Sequence, residues 1–73
     1  MRMIDEVGGQ EISTIKLDMW VFAPYETCVF YPNGDSEVVA MYGTEDEARA
    51  GHEALVDKTK RRLAAVISLL TEE

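Results

Sequence analysis

Residues 25–52 read YETCVFYPNGDSEVVAMYGTEDEARAGH, and this stretch decides the fold. Its first half holds two segments rich in β-branched and aromatic residues, 26–31 and 36–42, on either side of the turn sequence PNGD. An Asn-Gly pair accepts the positive φ angles of a tight hairpin turn, and a preceding proline presets the approach of the chain. The stretch therefore predicts an antiparallel β-hairpin that leads directly into a helix.

A single long helix is predicted over residues 44–70. Thr44 and Glu47 have the spacing of a capping box, in which two residues satisfy free backbone donors at the start of a helix. The acidic residues at 45–47 lie at the positive end of the helix dipole, and no proline follows. One helix face is defined by residues that recur at three- and four-residue steps: Ala48, His52, Leu55, Thr59, Leu63, Val66 and Leu70.

Alternation of apolar and polar residues predicts a further strand upstream, from Ile12 to Ala23-Pro24, where the proline ends it. The residues predicted to face inward are Ile15, Leu17, Met19 and Val21. Residues 1–10 show no clear periodicity and contain two adjacent glycines, so they are predicted to form a flexible arm. The sequence leaves open whether this strand pairs within the chain or with another copy.

The fold class expected from these elements is α+β. A three-stranded antiparallel meander over 12–42 is followed by one long C-terminal helix packed on the sheet, in a single small domain of 73 residues. A helix over 44–70 is roughly 40 Å long, whereas strands of this length cover only about 20–23 Å. The helix is therefore expected to run past its own sheet.

The overhanging end of the helix is also its most apolar part, which predicts a homo-oligomer. The residues expected at the interface are Leu63, Val66, Ile67 and Leu70. Oligomerisation would also supply the core that a chain of this size lacks, because a domain of about 70 residues buries only about 60% of its unfolded surface. The alternative is a shorter helix, or one whose end folds back.

Composition and charge exclude several classes of function. The chain carries a net charge of −7, whereas a protein that binds a nucleic-acid backbone needs a basic surface. No apolar run reaches the roughly 18–20 residues of a membrane span, and residues 1–11 lack the pattern of a secretory signal. A lone cysteine, Cys28, suits a reducing compartment. A cytoplasmic protein without direct nucleic-acid or membrane contact is predicted.

The negative charge is unevenly distributed. Residues 1–57 carry a net charge of −9, while residues 58–73 carry +2. The basic side chains of the second segment are Lys58, Lys60, Arg61 and Arg62. This basic run is predicted to be a solvated flank of the helix; ion pairing with the acidic front of another subunit is the alternative.

His52 is the only histidine, so a metal site or a nucleophile–histidine–carboxylate site would have to include it. The other candidate metal ligands, Cys28, Glu53 and Asp57, do not stand at a recognised ligand spacing. No catalytic residue, metal or cofactor is predicted. Two interpretations of His52 stay open: it hydrogen-bonds to the sheet while Gly51 admits a close aromatic ring, or it contacts a ligand.

The aromatic residues indicate a binding surface, because rings contribute large contact area at low entropic cost. The residues predicted to bind a ligand or partner are Trp20, Tyr25, Glu26, Tyr42 and His52. The alternative is that some rings pack on the helix and the others are scattered over the surface. Single-stranded nucleic acid also stacks on rings, but it needs basic residues beside them, and the predicted strands offer only Lys16.

Two segments resemble a family of small bacteriophage and prophage proteins: 25–30, YETCVF, and 42–52, YGTEDEARAGH. Members of that family carry an F-E-T-M-V-F-like strand and a Y-x-T-x-x-E-A-x-x-G-H strand-to-helix motif. Cys28 stands where methionine is usual, and Tyr25 where phenylalanine is common. The resemblance implies a phage gene product in a bacterial host without specifying an activity. It also implies one cluster where the hairpin meets the helix: Glu26, Thr27, Tyr42, Gly51 and His52.

The function predicted on these grounds is that of a small acidic, non-enzymatic accessory protein that self-associates and binds a host or phage protein. One alternative is an anti-defence module that sequesters a nucleotide signal, with Trp20, Tyr42 and His52 around a pocket between subunits. Another alternative is a minor structural component of a virion.

Overall fold

The computed structural model describes residues 1–18 and 21–71. Its elements are β1 (Arg2–Val7), β2 (Gln10–Lys16), β3 (Tyr25–Phe30), β4 (Ser36–Tyr42) and α1 (Glu45–Thr71). The strands form one antiparallel sheet in the order β1-β2-β3-β4, and α1 contacts all four of them. The predicted α+β class with a C-terminal helix packed on an antiparallel sheet is confirmed. The described residues form four strands, however, and not the predicted three.

The prediction of a flexible arm over 1–10 is wrong, because this segment holds the edge strand β1. β1 pairs with β2 along its whole length through a turn at Gly8 and Gly9, whose φ angles are 60° and 83°. Positive φ at both positions gives the hairpin turn whose twist matches that of its strands. The alternation of apolar and polar residues in β1 is difficult to recognise in the sequence, because Asp5 interrupts the inward-facing row of apolar residues.

The prediction for the next strand is wrong in both its length and its buried side. β2 ends at Lys16, well before Ala23-Pro24. Ile12 and Thr14 are fully buried beneath the helix, whereas Ile15 belongs to the opposite face of the sheet. The prediction placed the polar side chains outward, but Thr14 lies inward because its hydroxyl has buried hydrogen-bond partners.

A loop connects β2 to β3. The backbone N–H of Leu17 donates to the carbonyl of Pro24 at 2.6 Å and draws the two ends of this loop together. Val21, which was predicted to face inward, is exposed. Met19, another predicted inward residue, and Trp20, a predicted binding residue, lie outside the described residues.

The hairpin predicted within residues 25–52 is confirmed as β3 and β4. Its turn is wider than a two-residue turn, because the N–H of Tyr31 donates to the carbonyl of Asp35 at 2.8 Å. The Asn33 side chain accepts the N–H of Asp35, and Gly34 alone of the turn residues has a positive φ, 93°. Further along, Val39 is an extra residue in β4 that the pairing with β3 skips, which makes a β-bulge.

The helix agrees with its prediction to within one residue at each end. At its start, the N–H of Glu47 donates to Thr44 Oγ1 at 3.2 Å, as in a capping box. The Glu47 carboxylate accepts the Thr44 hydroxyl at 2.9 Å, and not the backbone amide that a complete capping box would use. Within the described residues no helix has the length and apolarity to span a membrane.

A small core lies between the sheet and the first half of α1. Its buried apolar residues are Val7, Ile12, Val29, Ala48 and Val56. Polar side chains share this interior: Thr14 and His52 have no exposed surface and Thr27 is 1% exposed. Since buried polar groups destabilise a fold unless they are hydrogen-bonded, these three residues require partners.

The second half of α1 runs past the sheet, as the lengths of the elements predicted. Every residue from 60 to 71 is exposed, and Leu70 retains 80% of its accessible surface. Leu63 packs against Gly8 at the end of the sheet. With its 27 residues α1 is roughly 40 Å long, and the molecule extends 53 Å along its longest axis.

Candidate functional site

Four polar side chains form a continuous series of hydrogen bonds between the helix and the sheet. Thr27 Oγ1 lies 2.5 Å from Thr14 Oγ1, which lies 2.7 Å from His52 Nδ1. On the other side of the imidazole ring, His52 Nε2 lies 2.7 Å from Asp5 Oδ2. Thr27, Thr14 and His52 are buried, whereas half of the Asp5 side chain is exposed. We refer to these four residues as the polar network.

Three strands and the helix assemble the polar network. Thr14 of β2 and Thr27 of β3 are direct cross-strand partners, so their side chains stand together on one face. Asp5 of β1 pairs with Ile12, two residues before Thr14, and therefore lies on the same face. His52 is two turns into α1, where the helix crosses these strands. The network is thus built from residues far apart in the sequence.

Each residue of the polar network has a hydrogen-bond partner within the network. The Asp5 carboxylate only accepts, so His52 Nε2 carries a proton and donates it to that oxygen. In the neutral ring, Nδ1 then accepts the hydroxyl of Thr14, and Thr14 accepts the hydroxyl of Thr27. Among the described residues no buried side-chain nitrogen or oxygen is left without a partner. The interior polarity is therefore compatible with a stable fold.

The order hydroxyl–imidazole–carboxylate is also that of a nucleophilic triad. A triad hydroxyl must be reachable by a substrate carbonyl, and Thr14 has no exposed surface and is held from two sides. His52 is equally buried, and both of its ring nitrogens are engaged. In this arrangement the network ties the helix to the sheet, as in one of the two interpretations of His52, and presents no imidazole nitrogen to a ligand.

A close contact between Gly51 and Tyr42 adjoins the polar network. A Cβ at Gly51 would overlap the hydroxyl and ring carbons of Tyr42, so only glycine lets this ring lie against the helix. Tyr25 is the cross-strand partner of Tyr42 at the same end of the sheet. The structure thus brings Tyr42, Gly51 and His52 together where β4 leads into α1.

Glu26 does not join this cluster. It follows Tyr25 along β3, so it lies on the sheet face away from α1, where its carboxylate accepts the thiol of Cys28 at 3.1 Å. The imidazole bonds to Asp5 and Thr14, two residues that the sequence analysis missed. The available signal was the pair of β-branched hydroxyl residues, Thr14 and Thr27, in adjacent strands opposite the one histidine.

Cys28 is a weak nucleophile in this environment. Burial, the hydrogen bond to Glu26 and the negative charge of Glu26 together raise the pKa of its thiol from 9.0 to about 11. The thiolate is the reactive form, so near neutral pH the thiol is protonated and unreactive. Hydrogen bonding to Glu37 likewise raises the pKa of the Tyr31 hydroxyl.

The raised pKa of Cys28 predicts that stability falls as the pH rises from about 9 to about 11. In this range the unfolded chain has released the thiol proton and the folded chain retains it, so a rise in pH favours unfolding. Urea unfolding midpoints measured at several pH values check this. Cys28→Ala is expected to show a shallower decline than the wild type, and identical slopes for the two proteins would contradict the assignment.

The candidate metal ligands considered in the sequence are not brought together. Cys28 lies on the sheet face away from α1, His52 is buried on the side of α1 that faces the sheet, and Glu53 and Asp57 are exposed on the helix. Within residues 1–18 and 21–71, no three His, Cys, Asp or Glu side chains are placed to hold a metal ion.

A shallow groove lies where the helix leaves the sheet. Its volume of about 210 Å³ is smaller than the roughly 300–1,000 Å³ of typical small-molecule sites. It is lined by Val7, Gly8, Gln10, Thr59, Arg62, Leu63 and Val66.

An apolar surface lies on the sheet face away from α1. The cross-strand row Ile4–Ser13–Cys28–Val38 crosses its middle. The large apolar residues of this face that lie substantially exposed are Ile4, Phe30, Val38 and Met41, each at 43–52% of full exposure. Its charged residues are Arg2, Glu6, Glu11 and Glu26. We refer to these residues as the open sheet face.

A second apolar surface lies on the overhanging part of α1. It consists of Leu63, Val66, Ile67 and Leu70, the predicted interface residues, whose exposure rises from 39% to 80%. At 100° per residue they continue the helix side that carries His52. We refer to them as the helix stripe. Lys60 and Arg62 flank the stripe on its two sides.

No protein-family model, curated protein or solved structure matches the chain.

Proposed function

We propose that the protein is a non-enzymatic accessory protein that self-associates through its C-terminal helix and acts by binding another protein. The observation that carries this proposal is the helix stripe. Its large apolar side chains are more than one-third exposed beyond the end of the sheet, and contiguous exposed apolar patches mark interaction surfaces. A helix that served only to cover its own sheet would have no need of this length.

The polar network supports the absence of catalysis in this proposal. The groups that resemble catalytic machinery, Thr14 and His52, are sealed in the core, and the Cys28 thiol is protonated near neutral pH. The resemblance to small phage proteins supports a host or phage protein as the partner. The nucleotide-binding alternative lacks comparable support, because His52 is buried and the Tyr42 hydroxyl packs on Gly51.

Light scattering coupled to size exclusion tests the self-association. The wild type at micromolar concentration is expected to have at least twice the 8.2 kDa mass of one chain. Leu70→Glu places a charge in the C-terminal part of the helix stripe and is expected to give a monomer, because the carboxylate would be buried without a partner. Ser68→Glu adds the same charge on the other side of the helix and is expected to leave the oligomer intact. A monomeric wild type would overturn the proposal.

A further inference from the structure

We infer that the helix stripe of one copy covers the open sheet face of a second copy, in a reciprocal dimer. The inference rests on the self-association proposed above and names the surface that receives the helix. In such a dimer each sheet has a helix on both faces, one from its own chain and one from its partner. The two uncovered apolar surfaces of the chain then cover each other.

Charge complementarity favours this pairing. Residues 58–73 carry a net charge of +2, from four basic residues against Glu72 and Glu73, and Lys60 and Arg62 border the helix stripe. The open sheet face carries three acidic residues, Glu6, Glu11 and Glu26, against the single Arg2. Glu6 and Glu11 are direct cross-strand partners, an unfavourable like-charge pair that a basic side chain would relieve.

The same charges disfavour the other ways to cover the open sheet face with a second copy. Two open sheet faces stacked on each other would bring both sets of three glutamates into one interface. Two helix stripes paired with each other would bury the stripes and leave both open sheet faces exposed. Only the pairing of stripe with sheet brings both surfaces into one interface and joins opposite charges.

The lengths of the elements agree with the inference. A six-residue strand is about 20 Å long, and the 27-residue helix is about 40 Å long, so the helix has the length of two sheets. Its first half covers its own sheet through Ala48, His52 and Val56. The helix stripe points to the same side, so it meets a second sheet that continues the layer of the first.

A twofold axis that lies in the plane of the two sheets relates the two copies and makes the assembly a closed dimer. The two sheets lie side by side at their Gly8 ends, with one helix below both and the other above both. Each helix then meets the near part of the partner's open sheet face, where Glu6, Glu11 and Phe30 lie. The contact is the same in both directions, so it ends at two copies and does not propagate into a filament.

The buried area predicts a weak dimer. Leu63 packs against Gly8 of its own chain, so the segment that reaches the partner is residues 64–71, about 12 Å long and about 10 Å wide. The dimer has two symmetric contacts, each of which removes surface from both chains, and together they bury on the order of 500–1,000 Å². This is the range of weak, transient interfaces and lies below that of stable ones.

Chains with one cysteine each distinguish this arrangement from other dimers. In a Cys28→Ala background, Val38→Cys marks the open sheet face and Ile67→Cys marks the helix stripe. The two chains are mixed in equal amounts and joined with a short bismaleimide, and the products are identified by mass spectrometry. The 38–67 product is expected to exceed the sum of the 38–38 and 67–67 products, which is the share that random pairing in an equal mixture would give. Ser68→Cys, on the far side of the helix, replaces Ile67→Cys in the control and is expected to crosslink several-fold less.

Each outcome separates the inference from the proposed function. A dimer that yields mainly 67–67 product would overturn the inference and leave self-association through the helix standing. Equal crosslinking by Ile67→Cys and Ser68→Cys would also overturn it, because the stripe would then have no defined partner surface. If light scattering shows the wild type to be a monomer, both are overturned.

Discussion

Replacing His52 with alanine is expected to lower the free energy of unfolding by about 3–4 kcal/mol. The substitution opens a cavity in the core and removes the imidazole nitrogens Nδ1 and Nε2, so Thr14 loses a buried hydrogen bond and Asp5 loses the hydrogen bond that it makes towards the core. A core of this size rarely supplies more than about 3–5 kcal/mol, so the variant is expected to be largely unfolded at 25 °C. Circular dichroism during urea unfolding measures the loss.

Two milder variants keep this prediction testable if His52→Ala does not fold. Thr14→Val removes the central hydroxyl and breaks the bonds to both Thr27 and His52, so a loss of about 2 kcal/mol is expected. Thr27→Val removes only the end of the network, and about 1 kcal/mol is expected. Thr59→Val is the control, since that hydroxyl bonds only to the Leu55 carbonyl on the same helix. Equal losses at 14, 27 and 59 would contradict a connected network.

The second large effect is expected at Gly51. Glycine within a helix is ordinarily about 1 kcal/mol less favourable than alanine, so Gly51→Ala would stabilise an isolated helix. In the folded protein the new Cβ would overlap the Tyr42 hydroxyl and ring, which must swing away from the helix. A net loss of about 1–3 kcal/mol is therefore expected, as for other overpacked interiors. Urea unfolding measures it.

In a protein that already carries Tyr42→Ala, the effect of Gly51→Ala on the free energy of unfolding is expected to have the opposite sign. Without the ring the Cβ meets no obstacle from residue 42, so Gly51→Ala is expected to stabilise the Tyr42→Ala protein by up to about 1 kcal/mol. The coupling between the two positions is then measured by the double-mutant cycle. If Gly51→Ala had the same effect in both backgrounds, the close contact of Tyr42 with the helix would be refuted.

The polar network and the Gly51 contact act on the same property, the position of the helix on the sheet. The hydrophobic effect is non-directional, so it does not by itself select one position of the helix. The hydrogen bonds do, because a shift of the helix by one residue would remove the imidazole from both Thr14 and Asp5. A fixed helix position matters for the proposed function, since it sets the direction in which the helix stripe leaves the sheet.

Local signals in the sequence were sufficient for the second half of the chain. The PNGD turn determined the β3–β4 hairpin, and the spacing of Thr44 and Glu47 determined where the helix begins. The period of three and four residues defined its inward face, and its length compared with that of the strands predicted the overhang. Turns, helix caps and helical periodicity depend on residues that are close together in the chain, so they can be recognised in a single sequence.

The first half of the chain was harder to predict, because its pattern depends on distant partners. Asp5, Thr14 and Thr27 are polar residues at inward positions, where alternation leads one to expect apolar side chains. These polar side chains have hydrogen-bond partners in the interior only because His52, far along the chain, bonds to both Thr14 and Asp5. A rule based on polarity therefore assigned the wrong face to β2 and no strand to β1.

The sequence by itself determined an acidic α+β domain with a hairpin and a helix too long for its sheet. The tertiary structure decided that residues 2–7 complete a four-stranded sheet and that His52 is a buried tie between helix and sheet. It also decided which side chains of the sheet remain uncovered. The reason is physical: a helix or a turn is stabilised by contacts within a few residues, whereas the buried polar network and the open sheet face exist only once distant segments have met.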